Sequence, residues 1–83
     1  MNMYYLYILQ CADKTLYTGI TTDLERRVAE HNGNKMGAKY TAARRPVKLV
    51  FFREFHNRSA ACQEEIKVKK LSRTEKIALI EKG

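Results

Sequence analysis

Eighty-three residues suit one small domain, read here as spanning 1–83. No apolar run is long enough to cross a bilayer, and the N-terminus lacks the layout of a signal peptide. Cys11 and Cys62 stand far apart with no metal-ligand spacing, which fits reduced thiols in a cytoplasmic protein.

Sixteen Lys and Arg against nine Asp and Glu give +7. Between Glu30 and Glu54 there is no acid, while Lys35, Lys39, Arg44, Arg45, Lys48 and Arg53 fall in that interval. Lys67, Lys69, Lys70, Arg73 and Lys76 form a second group. Charge runs can be merely solvated faces, but two basic groups in one small domain favour a polyanion such as nucleic acid. A membrane surface fits less well, because no basic amphipathic helix has a bulky aromatic face.

Tyr4 to Gln10 is apolar on both alternating faces, as a central strand covered on both sides requires. Cys11-Ala12-Asp13-Lys14 breaks the run, and Thr15 to Thr21 resumes it, so the two segments predict an antiparallel hairpin. Thr22 and Glu25 match a capping box, predicting a helix from about Asp23 to Asn32 that stops at Gly33. Asn34 to Pro46 reads as an exposed basic loop. Val47 to Phe55 predicts a third strand, with Val47, Leu49 and Phe51 on one face and Val50 and Phe52 on the other. A second helix begins near Asn57 or Ser59, and the box Ser72-Arg73-Thr74-Glu75 starts a third. The fold expected is α+β, a small three-stranded antiparallel sheet packed with helices in the order β-β-α-β-α-α.

A hairpin loop centred near Ala12-Asp13 makes Tyr7 and Tyr17 cross-strand neighbours on one face, with Gly19 sharing that face. Arg27 and His31 are four residues apart and stack on one side of the first helix, at the edge of its Leu24–Val28 apolar stripe. Arg26 and Glu30 form a second such pair beside them. In the second helix Ala61, Cys62, Ile66 and Val68 define an apolar arc that contains Glu65, while Glu64 falls on the polar side. A carboxylate among apolar neighbours needs a cation, a metal or hydrogen bonds. An ion pair to Lys69 would satisfy it, and so would a functional role. Each residue alone has an ordinary packing or surface explanation.

Together, two tyrosines, an arginine, a histidine and one carboxylate suit metal-assisted phosphodiester cleavage. The carboxylate can hold one hard divalent cation such as Mg²⁺. Arginine offers fixed donors to phosphate oxygens, and a tyrosine or histidine can position or deprotonate water.

At these residues the sequence resembles the GIY-YIG nuclease domains, specifically small stand-alone bacterial proteins built from that domain. Tyr5-Leu6-Tyr7 stands for the first motif and Tyr17-Thr18-Gly19 for the second. Tyrosine replaces the glycine of the family name, and threonine replaces its isoleucine. The resemblance continues through DLERRVAEH (residues 23–31), GAKYT, RRPV and SAACQEEIKVKKLSR.

The resemblance implies a DNA endonuclease with Tyr7 and Tyr17 as signature tyrosines, Arg27 on the scissile phosphate and His31 assisting the hydroxyl network. Glu65 would hold a single Mg²⁺ or Mn²⁺. Lys35, Lys39, Tyr40, Arg44 and Arg45 are the candidate nucleic-acid contacts, and no obligatory protein partner is implied. Two other readings remain open: a non-catalytic nucleic-acid-binding module with the same fold, and an adaptor for an acidic protein.

Overall fold

The computed structural model describes residues 3–33 and 39–83, and within these the side chains of Lys39 and Tyr40 are not described. β1 (Tyr4–Gln10) is the central strand. On one of its faces Leu6 and Ile8 are fully buried, and on the other Tyr7 and Leu9 are. β2 (Leu16–Thr21) pairs with it antiparallel. The connecting turn is closed by a bond from Cys11 N–H to the Thr15 carbonyl (2.8 Å) and by Lys14 in the left-handed region at φ 72°. The Asp13 carboxylate accepts from the Thr15 backbone and hydroxyl, which fixes the loop.

α1 (Leu24–Gly33) starts one residue later than the capping box Thr22–Glu25 would place it. Asp23 is the cap: its carboxylate accepts from Arg26 N–H at 3.1 Å, and its N–H is held by the Thr21 hydroxyl at 3.1 Å. A carboxylate also meets the positive end of the helix dipole, which favours aspartate at this position. β3 (Lys48–Phe55) pairs antiparallel with the other edge of β1, giving the sheet order β2-β1-β3. α3 (Arg58–Lys69) is capped by Asn57, and α4 (Arg73–Lys82) by the predicted Ser72–Glu75 box. The order is β-β-α-β-α-α in an α+β fold, with one further helical turn, α2 (Lys39–Ala42), between α1 and β3.

The segment expected to be an exposed basic loop is therefore docked where it is described. Thr41 is 0% exposed, and the Arg44 carbonyl accepts from Ala12 N–H at 2.9 Å. Asn32, at the end of α1, clamps the start of β3: its Nδ2 donates to the Val47 carbonyl (3.0 Å) and its Oδ1 accepts from Val47 N–H (2.7 Å). One side chain thus satisfies both backbone groups of Val47 and fixes the last turn of α1 over the sheet.

Two apolar clusters sandwich the sheet. Leu6, Ile8, Phe51 and Val68 lie on the side of α3 and α4, with Leu79 and Ile80 packed against them. Tyr7, Leu9, Cys11 and Val47 lie under α1, with Leu24, Val28 and Leu49. Full burial of each large apolar side chain contributes about 1.5–3 kcal/mol.

Strict alternation along β3 fails at a bulge. Ile8 pairs with Phe51 but Leu9 pairs with Leu49, so Val50 is the extra residue. Val50 and Phe51 therefore both pack on the α3 side, whereas Val47 and Leu49 pack under α1. Ile66, expected in the buried arc of α3, is 55% exposed. Thr18, the threonine of the second motif, has a buried hydroxyl with no hydrogen-bond partner among the described residues, a cost an isoleucine there would not incur. Among the described residues no helix is long and apolar enough to cross a membrane.

Candidate active site

The site is built on the α1 side of the β1–β2 hairpin. Tyr7 lies opposite Gly19, and Tyr17 lies opposite Leu9. The two tyrosines are thus diagonal cross-strand neighbours on one face. Gly19 matters because of what covers it. A Cβ at this position would sit 2.5 Å from Tyr7 Oη and 2.7 Å from Cζ, so the Tyr7 ring lies across the space that glycine leaves open.

His31 stands over this face from the last turn of α1 and is 1% exposed. Its ring lies 6.0 Å from that of Tyr7 and 5.2 Å from that of Tyr17, between centroids. His31 Nε2 is 3.1 Å from Tyr7 Oη, and Nδ1 is 2.7 Å from Thr41 Oγ1. Burial, helped by the nearby Arg27 charge, holds the imidazole pKa below its ordinary value. The ring is therefore neutral near pH 7.

Arg27, one turn earlier, donates through Nη1 to Glu30 Oε1 at 2.8 Å, and its charge acts on the Tyr7 phenol. The Glu30 bond raises the guanidinium pKa further, and Arg27 in turn lowers that of the Glu30 carboxyl. Glu30 also accepts from Arg26 Nε at 3.3 Å. The sequence suggested only the Arg26 pair, yet Glu30 is the residue that orients Arg27.

Burial raises the Tyr7 pKa, and the Tyr17 and Glu65 charges push the same way, while Arg27 opposes them. Tyr7 is a protonated phenol at neutral pH. The Glu65 charge is the smallest of these effects on Tyr7. Glu65 shares an α3 stripe with the buried Ala61 and Val68, four and three residues away, as the sequence suggested. Its carboxylate, 21% exposed, pairs with Lys69 Nζ at 3.1 Å. Lys69 is more than half exposed, so this i,i+4 contact is weak and readily exchanged. Glu64, on the polar side, pairs with Arg53 at 3.1 Å.

Among the described residues no three His, Cys, Asp or Glu side chains cluster to form a metal cage. A single half-buried carboxylate fits a different donor set. Mg²⁺ retains several waters and binds through one or two carboxylates plus substrate phosphate oxygens. Glu65 fits that set as the one protein ligand.

Of the candidate nucleic-acid contacts, Lys35 and the Lys39 and Tyr40 side chains lie outside the described residues. Arg44 pairs through Nε with Asp13 at 3.0 Å. Arg45 donates to the Ala42 carbonyl (3.0 Å) and the Asn32 carbonyl (3.3 Å). Both arginines thus anchor their segment while remaining at least partly exposed. At the start of α1, a groove by β3 is lined by Tyr5, Phe52, Asp23, Glu25 and Glu54. Three carboxylates there repel a polyanion.

A family model described as the GIY-YIG catalytic domain matches residues 3–78. The chain belongs to the GIY-YIG family. The UPF0213 protein of Syntrophus aciditrophicus is 51% identical over 83 residues, covering 100% of this chain and 95% of its own. That of Staphylococcus saprophyticus is 46% identical over 83 residues and covers 100% of both chains. The solution NMR structure of the UPF0213 protein BH0048 from Bacillus halodurans superposes with a TM-score of 0.62 at 43% identity. It covers 95% of this chain and 83% of that one. As a GIY-YIG domain the chain is built on a nuclease scaffold, and nucleic acid is the substrate class this scaffold implies.

Proposed function

We propose that this GIY-YIG domain is a divalent-metal-dependent endonuclease that hydrolyses DNA phosphodiester bonds. The observation that carries the reading is the bond of His31 to one phenol, Tyr7, laid over Gly19, with the charges of Arg27 and Glu65 both acting on that phenol. Arg27 would hold non-bridging phosphate oxygens. Its guanidinium is already oriented by Glu30, so little ordering is left for the transition state. Tyr7 would donate to His31 and accept from Arg27, leaving one lone pair for an attacking water. Tyr17 would close the other side of the imidazole. Mg²⁺ or Mn²⁺ bound at Glu65 supplies Lewis-acid stabilisation of phosphate charge.

The protein would act in the cytoplasm without an obligatory protein partner. Basic residues of the Lys35–Arg45 region would track the DNA backbone, with Tyr40 available to stack on an unpaired base. The Glu65–Lys69 pair favours the second reading, a binding module without chemistry, in which the carboxylate is only structural.

The test is incubation with branched, nicked, single-stranded and duplex DNA in Mg²⁺ or Mn²⁺. The nuclease reading expects strand cleavage of at least one substrate that stops on chelation. Salt-sensitive binding with every substrate intact would establish the binding module instead.

A further inference from the structure

The His31 imidazole is held at both nitrogens, and its second partner comes from a segment that sequence spacing does not connect to the site. Thr41 lies ten residues beyond His31 on α2, with its Oγ1 2.7 Å from Nδ1. His31 and Thr41 are 1% and 0% exposed, so water does not compete for this bond. α2 is itself tethered. Arg44 N–H donates to the Thr41 carbonyl at 3.0 Å, and the Arg44 carbonyl accepts from Ala12 N–H in the hairpin turn at 2.9 Å.

The direction of the bonds follows from Arg27. A guanidinium only donates, and the Arg27 charge acts on the Tyr7 oxygen, so the phenol turns its oxygen to the cation and its own proton to His31. A neutral imidazole has one donor and one acceptor nitrogen. Nε2 accepting from Tyr7 therefore requires Nδ1–H donating to Thr41. In the other tautomer Nε2–H would compete with the Arg27 charge and an incoming water for the lone pairs of the phenol oxygen.

We propose that Thr41 is a positioning residue for the Tyr7–His31 pair: its hydroxyl holds His31 as the Nδ1–H tautomer and so orients the Tyr7 phenol. This rests on the endonuclease reading for its consequence, but the tautomer itself does not depend on catalysis. It also ties α2, within the candidate DNA-binding region, to the proposed reacting centre.

The experiment is long-range ¹H–¹⁵N NMR of the histidine rings near pH 7.5, with exposed His56 as the internal reference. Wild-type protein should show His31 Nδ1 protonated and Nε2 unprotonated. Thr41→Val should give a mixed or reversed pattern, and Thr41→Ser should retain that of the wild type. On a cleaved DNA substrate, Thr41→Val should lower kcat by about tenfold with KM little changed, and Thr41→Ser should restore it.

An Nε2–H tautomer in the wild type, or an unaltered tautomer in Thr41→Val, would overturn the proposal. Should the valine variant fail to fold, the wild-type tautomer and the serine variant still decide it. The expected tautomers without DNA cleavage would overturn only the endonuclease reading. Cleavage with the tautomer unchanged in Thr41→Val would overturn only the role of Thr41.

Discussion

Arg27→Ala is expected to slow DNA cleavage by about 10²–10³-fold with the fold retained, the loss typical when one preorganised donor to developing charge is removed. The partly buried guanidinium bonds Glu30, a contact outside the core. Glu30 keeps a cation when Arg27 is lost, because Arg26 Nε stays 3.3 Å from its other oxygen. Stability should therefore fall little, since partly exposed ion pairs contribute about 0–1 kcal/mol. Arg27→Lys should recover only a small part of the rate, because an ammonium is a point charge without the planar fork. Single-turnover cleavage rates, with thermal melts of the same preparations, separate a chemical loss from unfolding.

Gly19→Ala should damage both stability and activity through one side chain. The added Cβ falls 2.5 Å from Tyr7 Oη and 2.7 Å from Cζ. Tyr7 cannot swing aside cheaply, being 2% exposed and bonded to His31. Backbone strain is not involved, because no described glycine has a positive φ. Overpacking of this kind costs about 1–3 kcal/mol, and each kcal/mol lowers Tm by about 4–8 °C in a domain of this size. Cleavage should drop at least about tenfold as the phenol leaves its partners. Gly33→Ala is the matched control, since a Cβ there meets nothing within 4 Å, and both its melting temperature and its rate should stay close to those of the wild type.

The fold was legible wherever one local rule acted alone. Two-sided burial along Tyr4–Gln10 and the Ser72–Glu75 box both follow from side-chain periodicity and capping chemistry. Where two signals competed, the weaker one could mislead: Asp23 caps α1 in place of Thr22 because its carboxylate also faces the helix dipole. The Val50 bulge moves Phe51 to the other face, and no pattern of alternation contains an extra residue. Ile66 is exposed because the apolar arc of α3 is narrower than its composition suggests.

The site divides in the same way. Arg27 and His31 were visible as a helical pair, and Glu65 as a carboxylate on an apolar stripe, because both signals are periodic. Thr41 and the orienting role of Glu30 were not. Thr41 reaches His31 only through the docking of α2. Glu30 has arginines both three and four residues before it, and geometry alone shows that it takes both.

The most direct measurement compares wild-type protein with Glu65→Gln in Mn²⁺ on the DNA substrate that the wild type cleaves. The exchange keeps the shape of the side chain and removes the charge that would hold the cation, while costing only an exposed contact to Lys69. The account predicts loss of cleavage with folding and DNA binding retained. Cleavage at the wild-type rate by Glu65→Gln would contradict it.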